Sequence, residues 1–188
     1  MTRPVEIGTE RLHLRQWRES DRGPFAEMSA DARVMEFFPS LLDRTASDAI
    51  ADRCQTLIAE RGWGFWATEL KETREFIGFV GLHEPAAELP FSPCVEVGWR
   101  LAYAHWGKGL ATEAARAALG FGFDELALEE IVSFTAAVNA RSRRVMQRLG
   151  MSEADTFVHP AIPVGHPLRE HCLYRLSRKR WAHRTSRR

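Results

Sequence analysis

A run from His105 to Ala114, His-Trp-Gly-Lys-Gly-Leu-Ala-Thr-Glu-Ala, passes from a glycine-bearing turn straight into good helix formers. It constrains the fold because Val95 to Leu101, just before it, reads as a strand, so the local order is strand, turn, helix. Gly107 and Gly109 let the main chain approach a ligand without a Cβ in the way. The first amides of the following helix lack intrahelical acceptors and lie at the positive end of its dipole, which suits a phosphate or pyrophosphate. Taken alone, the two glycines are equally compatible with merely shaping the turn.

The flanking sequence supplies the rest of a mixed sheet. Arg11 to Arg15 alternates polar and apolar residues as a strand does, and Ser20-Asp21 can cap a helix running through Met28. A second helix is expected from about Ser47 to Glu60, with Arg61-Gly62 as its stop. Gly64 to Leu70 and Phe76 to Leu82 read as a hairpin, weakened locally by Gly78 and Gly81, and the prolines between Pro85 and Pro93 make a loop. Beyond the glycine turn, Leu110, Ala114, Ala118 and Phe121 form one face of a helix reaching about Glu125. Then follow a strand from Glu130 to Val138, a helix from about Ala140 to Leu149 with Gly150 as its cap, and a last strand around His171 to Leu176. This order implies an α/β chain with an antiparallel start and a β-α-β-α core.

At 188 residues the chain suits a single domain over 1–188. With 26 basic and 25 acidic side chains the net charge is +1, which lacks the basic excess of a nucleic-acid binder. The arginines and lysine from about 178 to 188 are expected to form a solvated, flexible basic tail. Cys54, Cys94 and Cys172 are too scattered for a disulfide framework or zinc knuckle, and no apolar run reaches membrane-spanning length. A cytoplasmic protein with no membrane partner is expected. His159, His166 and His171 fall in a proline-broken segment without metal-ligand spacing, so they are read as loop histidines and no metal is expected.

Glu96 to Ala102, followed by Trp106 to Ala114, resembles the acetyl-CoA signature of the GNAT superfamily of N-acetyltransferases, and in particular the ribosomal-protein alanine N-acetyltransferase branch. Thr9 to Arg15, Phe76-Ile77-Gly78, Asn139 to Ser142 and Arg148 to Met151 extend the resemblance over most of the chain. It implies a GNAT-like domain whose central, mostly antiparallel sheet contains a splayed parallel strand pair and is flanked by helices. It further implies that pantetheine bonds to backbone near Trp99, Arg100 and Leu101 and to Asn139. The pyrophosphate would then sit on amides from about Gly107 through Lys108, Gly109, Leu110 and Ala111 to Thr112. Trp106 stands where the superfamily often has Gln or Arg, as is common in this branch, and Tyr103 where a proline is frequent. Asn139 also reads as an N-cap for the helix after it.

Acetyl transfer to a primary amine needs a base, a polarised carbonyl and a proton for the departing sulfur. The resemblance makes Glu96 the candidate base, against an ion-paired or solvent-facing strand residue. Met146 occupies the position of the family's usual tyrosine acid, and a thioether cannot donate a proton. Ser142, one turn earlier, is the candidate donor and a further cofactor contact, against simple helix-end hydrogen bonding. Glu113 reads as a helix-dipole or capping residue rather than a second acid. His83 reads as a strand-end surface residue, and Phe37, Phe38, Trp63, Phe65 and Trp66 as core or as walls on the acceptor side. The expected function is acetyl-CoA-dependent N-acetylation of a protein N-terminus or, alternatively, of a polyamine, amino acid or antibiotic. A non-catalytic acyl-CoA module and a nucleotide-phosphate binder are the rivals, and a homodimer is compatible with all of these.

Overall fold

Residues 3–185 are described by the computed structural model. Strands β1 (Ile7–Gly8) and β2 (Leu12–Arg15) precede helices α1 (Arg22–Ala30) and α2 (Arg44–Arg61). Next come β3 (Phe65–Leu70), β4 (Phe76–His83), β5 (Glu96–Leu101) and helix α3 (Leu110–Asp124). The chain continues through β6 (Glu130–Ala136), α4 (Ala140–Leu149), β7 (Ser152–Val158), β8 (Glu170–Ser177) and α5 (Arg178–Thr185). The strands are ordered β1-β2-β3-β4-β5-β6-β8-β7 in one mixed α/β sheet, with β5 and β6 as the parallel pair. By contact density the chain divides into two units, residues up to 82 with 98–118, and 83–97 with 119 onward.

In the first unit, β1, β2, β3 and β4 pair antiparallel in succession around Leu12, Leu14, Trp66, Ile77 and Val80, all fully buried. Buried beside them is Arg15, which donates to Asp21 at 2.7 and 2.9 Å and to Glu69 at 2.7 Å. That pairing corrects the expected cap of α1: Asp21 makes no side-chain bond to that helix's first turn because its carboxylate serves Arg15 and, as a capping bond on the short turn Glu19–Asp21, the Arg18 amide. A buried guanidinium needs such partners more than an exposed helix end needs a cap. Helix α2 starts earlier than expected because Asp43 accepts from the Ala46 amide at 2.8 Å, and Gly62 ends it as read. Gly78 lies within β4 at φ +137°, where an added Cβ would stand 2.1 Å from the Arg100 carbonyl oxygen. Close backbone contact, rather than a break in the strand, explains this glycine.

In the second unit, β6, β8 and β7 pair antiparallel. Strand β7 escaped the sequence reading because Ser152 to Asp155 is polar and mostly exposed, as an outermost strand of a sheet permits. His171 lies buried within β8, not in a loop. The expected basic tail is helical over Arg178–Thr185: Trp181 is buried and stacks on Phe123 at 5.6 Å, anchoring an otherwise polar segment. Residues 186–188 of that tail lie outside the described residues.

Candidate active site

The glycine turn belongs wholly to the first unit. Strand β5 ends at Leu101, whose carbonyl accepts a hydrogen bond from Trp106 Nε1 at 2.8 Å, so the indole fastens the turn to the strand. Gly107 and Gly109 then take φ of +74° and +78°. A left-handed backbone is therefore what demands glycine there; a Cβ on Gly107 would meet nothing within 4 Å. The bond from the Glu113 amide to the Gly109 carbonyl, 3.0 Å, is helical, so the amides of Leu110, Ala111 and Thr112 precede it as first-turn donors.

Two residues that the sequence reading gave no role hold this turn. Arg11 donates Nη1 to the Lys108 carbonyl at 3.0 Å and Nε to Glu113 at 2.7 Å, while its amide and the Thr9 hydroxyl bind the other Glu113 oxygen at 2.9 and 2.6 Å. Burial pushes the Glu113 carboxyl up, but the bonds from Thr9 and Arg11 bring it below its ordinary value. Glu113 is thus a clamp on the helix start, ionised and unsuited to proton donation. Arg11→Ala should raise KM for acetyl-CoA about fivefold with kcat little changed. That corresponds to roughly 1 kcal/mol for a charge-assisted bond on a partly exposed side chain, and steady-state kinetics would check it.

The other candidates lie in the second unit. Val132 N–H bonds the Val95 carbonyl at 2.9 Å, and Glu96 is paired with Val132 in parallel register. The Ser133 hydroxyl donates to the Val97 carbonyl at 2.9 Å, adding a side-chain bond to the ladder. Glu96 is half-buried, and its carboxyl is pushed up to about 8 by burial alone. Asn139 caps α4, its Oδ1 accepting from the Ser142 amide at 3.1 Å, while its Nδ2 donates to Thr135 Oγ1 at 2.9 Å and Ser142 Oγ at 3.1 Å. Asn139 and Ser142 are thereby brought into direct contact, and the capping reading holds for both.

Met146 is buried in the core, which accounts for its side chain without any proton chemistry. Both tyrosines of the chain have partners of their own. Tyr174 donates its hydroxyl to Glu153 at 2.9 Å, and Tyr103 lies under the Arg33 guanidinium at 4.0 Å. His159 and His171 face each other at 4.9 Å, both pushed down by burial, His171 to about 4. Among the described residues no three His, Cys, Asp or Glu side chains form a group able to hold a metal ion, and no helix is long and apolar enough to cross a membrane.

The aromatics divide. Trp66 is core, with Nε1 bonded to the Val5 carbonyl at 2.8 Å, whereas Phe38 is exposed and covers the side chain of Arg100 at 4.2 Å. Trp99 and Arg100 were singled out for their backbone, but the Arg100 side chain is the less ordinary feature. Its Nε and Nη1 are buried with no hydrogen-bond partner, and burial pushes the group down to about 10, still a cation at neutral pH.

A strand ending in a fastened glycine turn, a helix start carrying first-turn amides, and a half-buried carboxyl at about 8 are consistent with acyl transfer. The Acetyltransferase (GNAT) domain family matches residues 11–152. The FsC-acetyl coenzyme A-N(2)-transacetylase of Aspergillus fumigatus is 29% identical over 190 residues, covering 93% of this chain and 77% of that one. A GNAT-family acetyltransferase from Bacillus anthracis superposes with TM-score 0.78 at 24% identity, over 93% of this chain and 99% of that one. The ribosomal-protein-S5-alanine acetyltransferase of Vibrio fischeri superposes with TM-score 0.73 at 18% identity, over 94% and 98%. The chain belongs to the GNAT acetyltransferases and is an acetyl-CoA-dependent N-acetyltransferase.

Proposed function

We propose that this enzyme acetylates an α-amine by direct attack in a ternary complex, with Glu96 taking the proton of the ammonium directly or through a water. The pyrophosphate of acetyl-CoA would rest on amides from Gly107 to Thr112, beside Trp106 and Lys108, and the pantetheine along Trp99 to Leu101 and at Asn139. Backbone amides near Leu101 would polarise the thioester carbonyl. The amine nitrogen forms the new bond to the carbonyl carbon, the carbon–sulfur bond breaks, and the proton that the nitrogen sheds as it becomes an amide passes by way of Ser142 to the thiolate. Ser142 Oγ accepts from Asn139, which leaves its own hydrogen to donate.

The observation that carries the reading is the place of Glu96, half-buried on the strand that runs into the fastened glycine turn, where burial pushes its carboxyl up to about 8. An α-ammonium titrates at about 8 and an alkyl ammonium at about 10.4, so transfer to Glu96 is nearly level for the first and uphill by roughly 3 kcal/mol for the second. The relative from Aspergillus fumigatus is named for transfer to an N(2) nitrogen and the structure from Vibrio fischeri for a protein alanine. Small-molecule and protein N-terminal acceptors are therefore screened together. CoA release should be at least about tenfold faster in kcat/KM with free amino acids or unblocked peptides than with polyamines or aminoglycosides. Equal rates would overturn the choice of α-amine. Tight acetyl-CoA binding without turnover on any amine would instead favour an acyl-CoA-binding module, the reading that Met146 keeps alive.

A further inference from the structure

Two arginines in the first unit with buried guanidinium nitrogens are treated differently. Arg15 has carboxylate partners on Asp21 and Glu69. Arg100 has rings, with its guanidinium 4.2 Å from the centre of Phe38 and 5.4 Å from that of Phe79. The nearby Cys54 supplies no counter-charge, because burial pushes its thiol up to about 12 and keeps it neutral. The rings supply no conventional hydrogen-bond acceptor, and Nε and Nη1 are without a partner. Buried donors on a charged group are expensive without an acceptor, and in native proteins such groups concentrate at binding sites.

The position on β5 says what this group can serve. Arg100 directly precedes Leu101, where the strand is fastened to the glycine turn, and strand alternation turns positions 98 and 100 to one face. We propose that Arg100 is a specificity residue that binds a carboxylate carried by the same molecule as the reacting amine. A planar guanidinium fork matches a planar carboxylate and can hold it through two parallel N–H bonds. The proposal rests on reading β5 as the strand along which the amine is acetylated. The carboxylate can be the α-carboxylate of a free amino acid or an acidic side chain next to a peptide N-terminus, and the test separates the two.

Calorimetry on the CoA-bound protein with acetylated products reads binding without turnover. One arm compares N-acetyl-leucine with N-acetyl-leucinamide, and the other N-acetyl-Ala-Asp-amide with N-acetyl-Ala-Asn-amide. In one arm the acid should bind at least about tenfold more tightly than its neutral twin, and Arg100→Gln should reduce that ratio to within about twofold. If the Gln variant does not fold, Arg100→Lys, which keeps the charge and loses the fork, should still cut the ratio severalfold. Equal binding of acid and neutral twin in both arms, or a ratio unchanged by substitution, overturns the proposal. Absence of CoA release from any amine, with the acid preference intact, would overturn the acetylation reading and leave the carboxylate site standing.

Discussion

Glu96→Gln is expected to lower kcat/KM for acetyl transfer by about 10²- to 10⁴-fold, the range for removal of a positioned general base. The pH profile should change with it. The carboxylate is the basic form, so the wild-type rate should climb through pH 8 and level above it. In the variant that limb should vanish and leave only the titration of the amine. The same shift has a stability consequence of opposite sign. The folded-state value of about 8 lies above the ordinary 4.5, so between those limits the native protein holds a proton that the unfolded chain has released. Wild-type stability from this group is therefore full below pH 4.5 and declines as pH rises to 8. The amide does not titrate, so Glu96→Gln should match wild type near pH 4 and exceed it near pH 9 by about 2 kcal/mol, after discounting for a half-buried side chain. Urea unfolding at the two pH values checks this. An unchanged rate and pH profile would remove Glu96 from the chemistry.

How much of this was legible in the sequence depended on whether the signal was local. The strand–turn–helix run was legible because positive-φ glycines and helix formers declare themselves over a few residues. The Asn139 cap and the Gly150 stop were readable for the same reason. What escaped depends on partners far apart in the chain. Arg11 and Glu113 are 102 positions apart, and nothing near either one signals the bond. Asp21 looked like a cap because Arg15 and Glu69 could not be seen to close around it. Helix α5 looked like a basic tail because its one buried anchor, Trp181, meets Phe123 only in the fold. The Arg100 side chain was hidden for a related reason: its environment is made by Phe38 and Phe79, from a loop and a neighbouring strand, and no acidic partner marks it.

Gly78→Ala should be among the most damaging glycine substitutions in the first unit, destabilising by at least about 3 kcal/mol. Two effects combine at this position. The φ of +137° is one that L side chains rarely adopt, and the new Cβ would stand 2.1 Å from the Arg100 oxygen and 2.8 Å from the Leu101 Cα. Both of those atoms are backbone and cannot rotate away. Gly107→Ala is the internal control: it carries the conformational strain of φ +74° but meets no atom within 4 Å, so it should cost only about 1 kcal/mol. The two variants should also differ in function at sub-denaturing urea. At Gly78 the clash presses on the strand end that Trp106 fastens and beside which the Ala102 amide bonds the Ile77 carbonyl at 2.9 Å. Gly78→Ala should therefore impair both the Arg100 site and acetyl transfer, while Gly107→Ala should act mainly on acetyl-CoA affinity. Equal unfolding free energies for the two variants would mean that φ strain alone governs both glycines, and that β4 and β5 are not held at the distance that fixes the end of the strand.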